Sequence, residues 1–338
     1  MPIKIPNQLP ALSVLANENI FVMSEHRAIN QDIRPMQLLI LNLMPNKIET
    51  EIQILRQLSN TPLQINVEFL CIHKTSKHTP KAHLDNFYQL FDDIKHKQYD
   101  GLIITGAPLA LLDYQQITFW DKICEVFDWA EQNVTSTMFS CWAAHAALYY
   151  HYGLNRKLRK DKLSGIFEHT TTDCHEQLTR GFDETFKVPH SRYGYIEVAD
   201  YQSVPGLKIL AQSEQAGVYI AASQTRKQVY LTGHPEYDPT TLDEEYRRDI
   251  KAGGTPVIPQ NYYPNNDSNQ KPTSSWRSHG SLLFTNWLNY YVYQITPYQL
   301  QGNPHKRKKD NIAVWPYHFL RYGLYSAYSK SKVSHIKG

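Results

Sequence analysis

Short apolar runs alternate with amphipathic stretches through the first 150 residues. Residues 37–44 (QLLILNLM) are apolar almost without interruption and closed by Pro45, as in a strand buried on both faces. In residues 47–60, Ile48, Ile52, Leu55 and Leu58 recur at helical spacing. Residues 63–70 (LQINVEFL) alternate and predict a second strand; 101–105 (GLIIT) predict a third, ending in the turn Gly106-Ala107-Pro108. Trp120, Ile123, Cys124 and Phe127 fall on one helical face, which assigns Cys124 to packing. Residues 135–140 (TSTMFS) form the next strand, and 142–150 (WAAHAALYY) a helix directly after it. Strand alternating with helix predicts an α/β fold of flavodoxin-like type, a mostly parallel sheet with helices on both faces.

From about Leu163 the pattern becomes strand-rich, with strands expected at 186–198, 207–213, 218–222 and 228–232. A helix is expected to start at Asp238-Pro239, where Asp caps and Pro fits the first turn. Residues 260–276 (QNYYPNNDSNQKPTSSW) read as a long surface loop, and 281–295 as a final apolar helix. No internal repeat interrupts this pattern, so one domain is expected over 1–301.

The chain has 338 residues, 41% hydrophobic and 20% charged, the range of a soluble globular protein. No segment approaches the roughly 18 apolar residues of a membrane span, and the start lacks a basic region leading into an apolar one. No membrane association is expected, and the expected compartment is the cytoplasm. The cysteines, Cys71, Cys124, Cys141 and Cys174, are too few for a disulfide framework and form no C-x-x-C zinc pattern. No metal is expected. The net charge of +3 is uneven: residues 302–338 hold eight Lys/Arg against Asp310 alone, so 1–301 are net acidic. That basic tail reads as a solvated extension. Polyanion binding is the alternative, but no nucleic-acid motif accompanies the charge and no nucleic-acid partner is expected.

Three segments carry candidate chemistry. Cys141 lies between a buried strand and a helix, where unpaired N–H groups and the helix dipole favour a thiolate and the Trp142 amide faces an oxyanion. Position alone leaves a small buried residue ending a strand as an equal alternative. Thr232-Gly233-His234-Pro235-Glu236 follows another strand, so His234 should emerge at the same sheet edge, with Glu236 to orient it. A His-x-Glu pair is weak by itself among fifteen histidines. The Gly106-Ala107-Pro108-Leu109-Ala110 turn places the amides of Ala107 or Leu109 as oxyanion donors, or is an ordinary Gly-Pro turn. Three strand ends meeting at one crevice is a class I glutamine amidotransferase-like arrangement, which serves amide hydrolysis and acyl transfer alike. His145, on the helix after Cys141, reads as packing.

The segments LILNLMPNKIETEIQ, DGLIITGAPL, FSCWAAHAAL, KLSGIFEH, LTRGFD, PHSRYG, LTGHPEYD and SSWRSHGSLLFTNWLNYYVYQITPY decide among these. In this order the chain closely resembles the homoserine O-acyltransferases of the bacterial methionine pathway, above all the homoserine O-succinyltransferases. The resemblance runs from residue 1 to about 300 and stops at the tail. It implies Cys141 as acylated nucleophile, His234 as general base and Glu236 as its partner. It further implies that Lys162, Ser191 and Arg248 bind substrate, and that Ala110 occupies the position associated with acyl choice, where glycine goes with succinyl and glutamate with acetyl. Alanine adds one methyl and no charge, so a pocket admitting succinyl is expected. The implied substrates are L-homoserine and succinyl-CoA as co-substrate, with no other cofactor, and the implied assembly is a homodimer. Acetyl-CoA is the alternative donor. An amidotransferase would carry G-x-C-x-G, whereas Phe139 and Ala143 stand at the two glycine positions here.

Overall fold

The structure, a computed structural model, describes residues 3–5, 8–17, 23–24, 35–173 and 175–296. The compact unit closes at Thr296. Cys174 and the expected basic extension 302–338 lie outside the described residues.

The first half contributes strands β1 (Ile3–Ile5), β2 (Met23–Ser24), β3 (Met36–Leu41), β4 (Ile65–Leu70), β5 (Tyr88–Gln89), β6 (Tyr99–Ile104) and β7 (Val134–Ser140). The second half adds β8 (Lys157–Thr171), β9 (Thr185–Tyr195), β10 (Leu207–Ser213), β11 (Gly217–Ser223) and β12 (Gln228–Leu231). All lie in one sheet of order β2-β1-β4-β3-β6-β7-β12-β11-β10-β8-β9, with β5 beside β4. Pairings from β2 through β12 are parallel; those from β12 through β11, β10 and β8 to β9 are antiparallel. The sheet is thus mostly parallel, as expected, with an antiparallel extension built from the strand-rich second half.

Alternation along the central strands sorts side chains to two faces. Leu38, Ile40, Ile103 and Met138 join one buried cluster, under the helices Lys47–Leu58 and Arg277–Asn286. Leu39, Leu41, Leu102, Ile104 and Phe139 join the other, under Trp120–Asn133 and Trp142–Tyr152. Both faces are covered, so the strands read as continuous apolar runs. Cys124 is half-buried on the second face, in the packing role expected of it.

Four expected boundaries shift. β8 starts at Lys157, six residues before Leu163, because its opening residues are mostly charged and carry no apolar alternation. β9 ends at Tyr195, and 198–202 form a short helix. The helix expected from Asp238 starts at Thr241. The final helix begins at Arg277 and widens to π geometry over Trp287–Tyr293. The expected surface loop 260–276 is a partial correction: its Asn and Pro residues are exposed or half-buried, but Tyr262, Tyr263 and Trp276 are buried against Tyr237, Leu242 and Ile166.

Gly165 ties that loop to the sheet. Ile166 donates to the Gln260 carbonyl at 2.8 Å and Gln260 donates to Ser164 at 2.9 Å. Gly165 adopts φ +143°, and a Cβ there would stand 2.3 Å from the Gln260 carbonyl oxygen. Gly165→Ala combines a glycine-only backbone with a clash against immovable backbone. It is expected to cost about 3 kcal/mol, read as a lowered midpoint in urea denaturation; a loss below about 0.5 kcal/mol would show that the bridge yields freely.

Candidate active site

β6, β7 and β12 are adjacent and parallel, with Ile104 beside Phe139 and Ser140 beside Leu231. Their carboxyl ends therefore open on one crevice. Just beyond those ends stand Gly106, Cys141 and His234, the three positions expected to meet there.

Cys141 occupies the single residue between β7 and the helix Trp142–Tyr152, with φ +49° and ψ −110°. Few non-glycine residues adopt such a backbone, and a strained elbow of this kind lifts its side chain above the sheet. Its amide donates to the Leu231 carbonyl at 2.7 Å, locking the elbow to β12. A Cβ on Gly106 would lie 3.2 Å from the Cys141 Cβ, so the missing side chain is what lets the turn close over the nucleophile. The Leu109 amide is spent within that turn on the Ala107 carbonyl, at 2.8 Å. Of the expected oxyanion donors this leaves the amides of Ala107 and Trp142.

His234 is buried and its Nδ1 lies 2.8 Å from Glu236 Oε1. The intervening Pro235 stiffens the pair, and Trp276 Nε1 donates to the Tyr237 carbonyl at 3.0 Å just beyond it. Burial pulls the pKa of the ring down, but the charges of Cys141 and Glu236 outweigh it and raise it to about 10. Nε2 makes no hydrogen bond of normal geometry, so Cys141 acts on the ring chiefly through its charge.

A second charge lies deeper. Arg192 on β9 is buried, donating to the Gly194 carbonyl at 2.5 Å, to the Ala216 carbonyl and to His190 Nδ1 at 3.3 Å. None of these partners is anionic. Burial lowers the guanidinium to about 10, and the charge of Cys141 is the chief influence opposing it. Position in a β-strand of alternating pattern gave no sign of this role. His145, by contrast, is buried and held neutral by burial and by neighbouring Arg192 and Arg156, in keeping with packing.

Lys162 and Ser191 are brought together, but on a residue the sequence did not single out. Lys162 Nζ lies 2.8 Å from Glu245 Oε2, Ser191 Oγ donates to the same oxygen, and Tyr237 Oη donates to Oε1 at 2.9 Å. The Tyr237 ring stacks on His234 with centroids 4.1 Å apart, so this cluster adjoins the base. Burial alone would raise the Glu245 carboxyl; Lys162, Ser191 and His234 together bring it below its ordinary value. Little in the sequence marks it: Glu245 precedes Arg248 by one helical turn, in a helix whose many charges read as exposed. Arg248 itself is 65% exposed and grips Asp249 at 2.8 Å, and Asp249 Oδ2 lies 3.8 Å from Lys162 Nζ, which places Arg248 at the rim of the cluster. Ala110 is half-buried in the turn after β6, its carbonyl accepting from Arg156 Nε at 3.3 Å.

A nucleophilic elbow facing a His–Glu pair across parallel strands places the molecule among proteins of class I glutamine amidotransferase-like fold. Two solved structures share that fold: a glutamine amido transferase from Methylobacillus flagellatus, at TM-score 0.51 and 11% identity over 81% of this chain and all of that one, and SMU.1228c, at TM-score 0.51 and 15% identity over 75% and 98%. The profile of the homoserine O-succinyltransferase family matches residues 2–298, and the chain belongs to that family. It is 62% identical over 307 residues to the homoserine O-succinyltransferase of Pseudoalteromonas atlantica, covering 90% of this chain and 100% of that one. Against the homoserine O-succinyltransferase of Shewanella amazonensis it is 58% identical over 301 residues, 89% and 95% of the two. Among the described residues no helix is long and apolar enough to cross a membrane.

Proposed function

We propose that the chain transfers a succinyl group from succinyl-CoA to the hydroxyl of L-homoserine through a thioester on Cys141. The observation that carries this is the strained Cys141 elbow beside His234 and Glu236. The Cys141 thiolate attacks the thioester carbonyl, and the amides of Trp142 and Ala107 receive the oxyanion. Coenzyme A leaves as a thiolate and takes the proton of His234. Acylation removes the Cys141 charge, the foremost influence raising the His234 pKa, so the ring's pKa falls. The ring then takes the hydroxyl proton of homoserine as that oxygen attacks the acyl carbonyl. Collapse returns the thiolate and the imidazolium. Covalent relay of this kind gives ping-pong kinetics.

Homoserine is a zwitterion and needs a cation and an anion side by side. Lys162 and Glu245 offer that pair, next to Tyr237 and hence to His234. We assign the ammonium to Glu245 and the carboxylate to Lys162, with Ser191 and the Arg248 fork at hand. Glu245→Gln is expected to raise the KM for homoserine by roughly 10- to 100-fold with a smaller change in acyl-enzyme formation, measured by mass spectrometry of the Cys141 peptide. A KM unchanged in that variant would remove Glu245 from the acceptor site.

An acyl-CoA and a free amino acid are cytoplasmic substrates, and Cys71, Cys124 and Cys141 are free thiols, as that compartment keeps them. We place the enzyme there, as a homodimer of the kind the family resemblance suggests. The test of the reaction is coenzyme A release with L-homoserine and either succinyl-CoA or acetyl-CoA. Preference for succinyl-CoA supports the proposal; preference for acetyl-CoA keeps the Cys141 relay and overturns the acyl assignment; turnover of neither overturns the proposal.

A further inference from the structure

Arg156 immediately precedes β8 and reaches across to the turn after β6. Its Nε donates to the Ala110 carbonyl at 3.3 Å and its Nη2 to the Leu112 carbonyl. The guanidinium lies 4.0 Å over the Tyr114 ring. Two of its three nitrogens thus hold the turn. The third, Nη1, is buried without a hydrogen-bond partner, and among the described residues no carboxylate lies within ion-pair distance of Arg156. A loop clamp alone leaves that nitrogen unexplained.

Three neighbouring groups share its condition. Tyr114 Oη, Trp142 Nε1 and His145 Nε2 are buried and make no hydrogen bond of normal geometry, and Tyr114 Oη lies near enough to Arg156 for the guanidinium to oppose the rise in its pKa. The rings of Tyr114 and Trp142 are 6.2 Å apart. Arg156 Cδ and His145 Nδ1 converge on Gly194, 3.1 and 3.3 Å from where its Cβ would be. The set is anchored to the nucleophile, since Trp142 comes directly after Cys141 and the His145 amide donates to the Cys141 carbonyl at 3.2 Å. Arginine and tryptophan can only donate. Burial pushes the Tyr114 phenol up to about 12, so it too remains a donor. Unpaired donors around an arginine that has no carboxylate paired to it among the described residues fit an anionic ligand, and a small carboxylate can take the free Nη1 together with the neighbouring donors.

We propose that Arg156, assisted by Tyr114 and Trp142, receives the free carboxylate of the acyl donor. This rests on the reading that Cys141 carries a succinyl group. In that group the carboxylate carbon stands roughly 4 Å from the reacting carbonyl carbon, the span of three extended bonds. It therefore has to be met by residues packed next to Cys141, and the turn and helix that hold this donor set are those flanking the nucleophile. Arg156 as a whole is half-buried, and Nη1 is its buried tip nitrogen. The same residue joins two tasks, fixing the backbone at Ala110 and reading the far end of the acyl chain.

The test compares succinyl-CoA with butyryl-CoA, which has the same four-carbon chain with a methyl in place of the carboxylate. Steady-state kinetics with L-homoserine are taken for the full chain, Arg156→Gln, Arg156→Lys and Tyr114→Phe. The ratio of kcat/KM for succinyl-CoA over butyryl-CoA is expected to fall at least 30-fold in Arg156→Gln, to be largely restored in Arg156→Lys, and to fall several-fold in Tyr114→Phe, with KM for homoserine steady throughout. Parallel losses with both donors would overturn the inference and leave Arg156 a clamp on the turn. A raised KM for homoserine would overturn it by giving Arg156 to the acceptor. Should the Arg156 variants fail to fold, an unmoved ratio in Tyr114→Phe overturns it. Failure of the underlying reading is distinct, because the unaltered protein would then show no turnover of succinyl-CoA.

Discussion

Cys141→Gly is expected to abolish acyl transfer and, above about pH 10, to make the protein more stable. Removing the sulfur removes the covalent relay, and loss of a nucleophile in such a relay typically costs roughly 10⁴-fold or more in turnover. The stability gain has a separate origin. At φ +49° and ψ −110° a non-glycine residue carries strain of about 1–3 kcal/mol. Glycine relieves it but gives back about 0.5–1 kcal/mol through the freer unfolded chain, leaving a net gain of about 1 kcal/mol. The gain depends on pH. The His234 pKa is raised in the fold, so its interaction with Cys141 stabilises the unaltered protein at lower pH and is lost as pH rises through about 10. Glycine lacks that interaction at every pH, and its advantage therefore grows across the same range. In the variant His234 should titrate lower by roughly 1–3 pH units, followed by NMR of the ring. Thermal melts showing glycine less stable than cysteine above pH 10 would mean that the elbow is unstrained.

Glu236→Gln is expected to lower kcat by roughly 10²- to 10⁴-fold while leaving the KM for homoserine within a few-fold. The carboxylate accepts from His234 Nδ1 at 2.8 Å, which leaves Nε2 to handle the proton on the Cys141 side. A glutamine amide can donate to Nδ1 instead, placing the ring hydrogen on Nε2, where it cannot act as a base. It also removes one of the charges that stabilise the imidazolium. Burst kinetics separate the two half-reactions, and both should slow. A loss confined to KM would assign Glu236 to binding and leave His234 oriented by Pro235 and the Tyr237 stack.

The placement of Cys141 and His234 at one sheet edge was legible because each comes just after a segment that reads as a strand, whereas the roles assigned to them came from the resemblance to the homoserine O-acyltransferases. Residues 101–105, 135–140 and 228–232 predict three strands, and a parallel sheet brings the residues at their carboxyl ends to one edge. Glu245 was not legible in the same way. It sits in an exposed-looking helix, DEEYRRD, and acquires meaning only when Lys162 and Ser191 arrive from β8 and β9. Those strands pair antiparallel, and their register breaks between Leu158 and Leu163. No local pattern in RKDK announces that irregularity. Arg192 was hidden for the opposite reason: a charged residue in an alternating strand is read as facing water, whereas here three uncharged acceptors take it into the interior. Tyr262, Tyr263 and Trp276 were masked by the Asn and Pro residues between them.

The sheet's change from parallel to antiparallel at β12 has a consequence for how this protein can change over generations. Activation of the donor is assembled on the parallel side, from the elbow after β7 and the turn after β6. The groups assigned to the acceptor are carried by the helix Thr241–Lys251 and by β8 and β9, strands on the far side of that boundary. Substitutions that retune which hydroxyl compound is accepted can accumulate there without touching the strained residue on which the chemistry depends. Acyl activation and acceptor choice are thereby separately heritable traits, and a lineage could exchange the acceptor while the thioester relay persists.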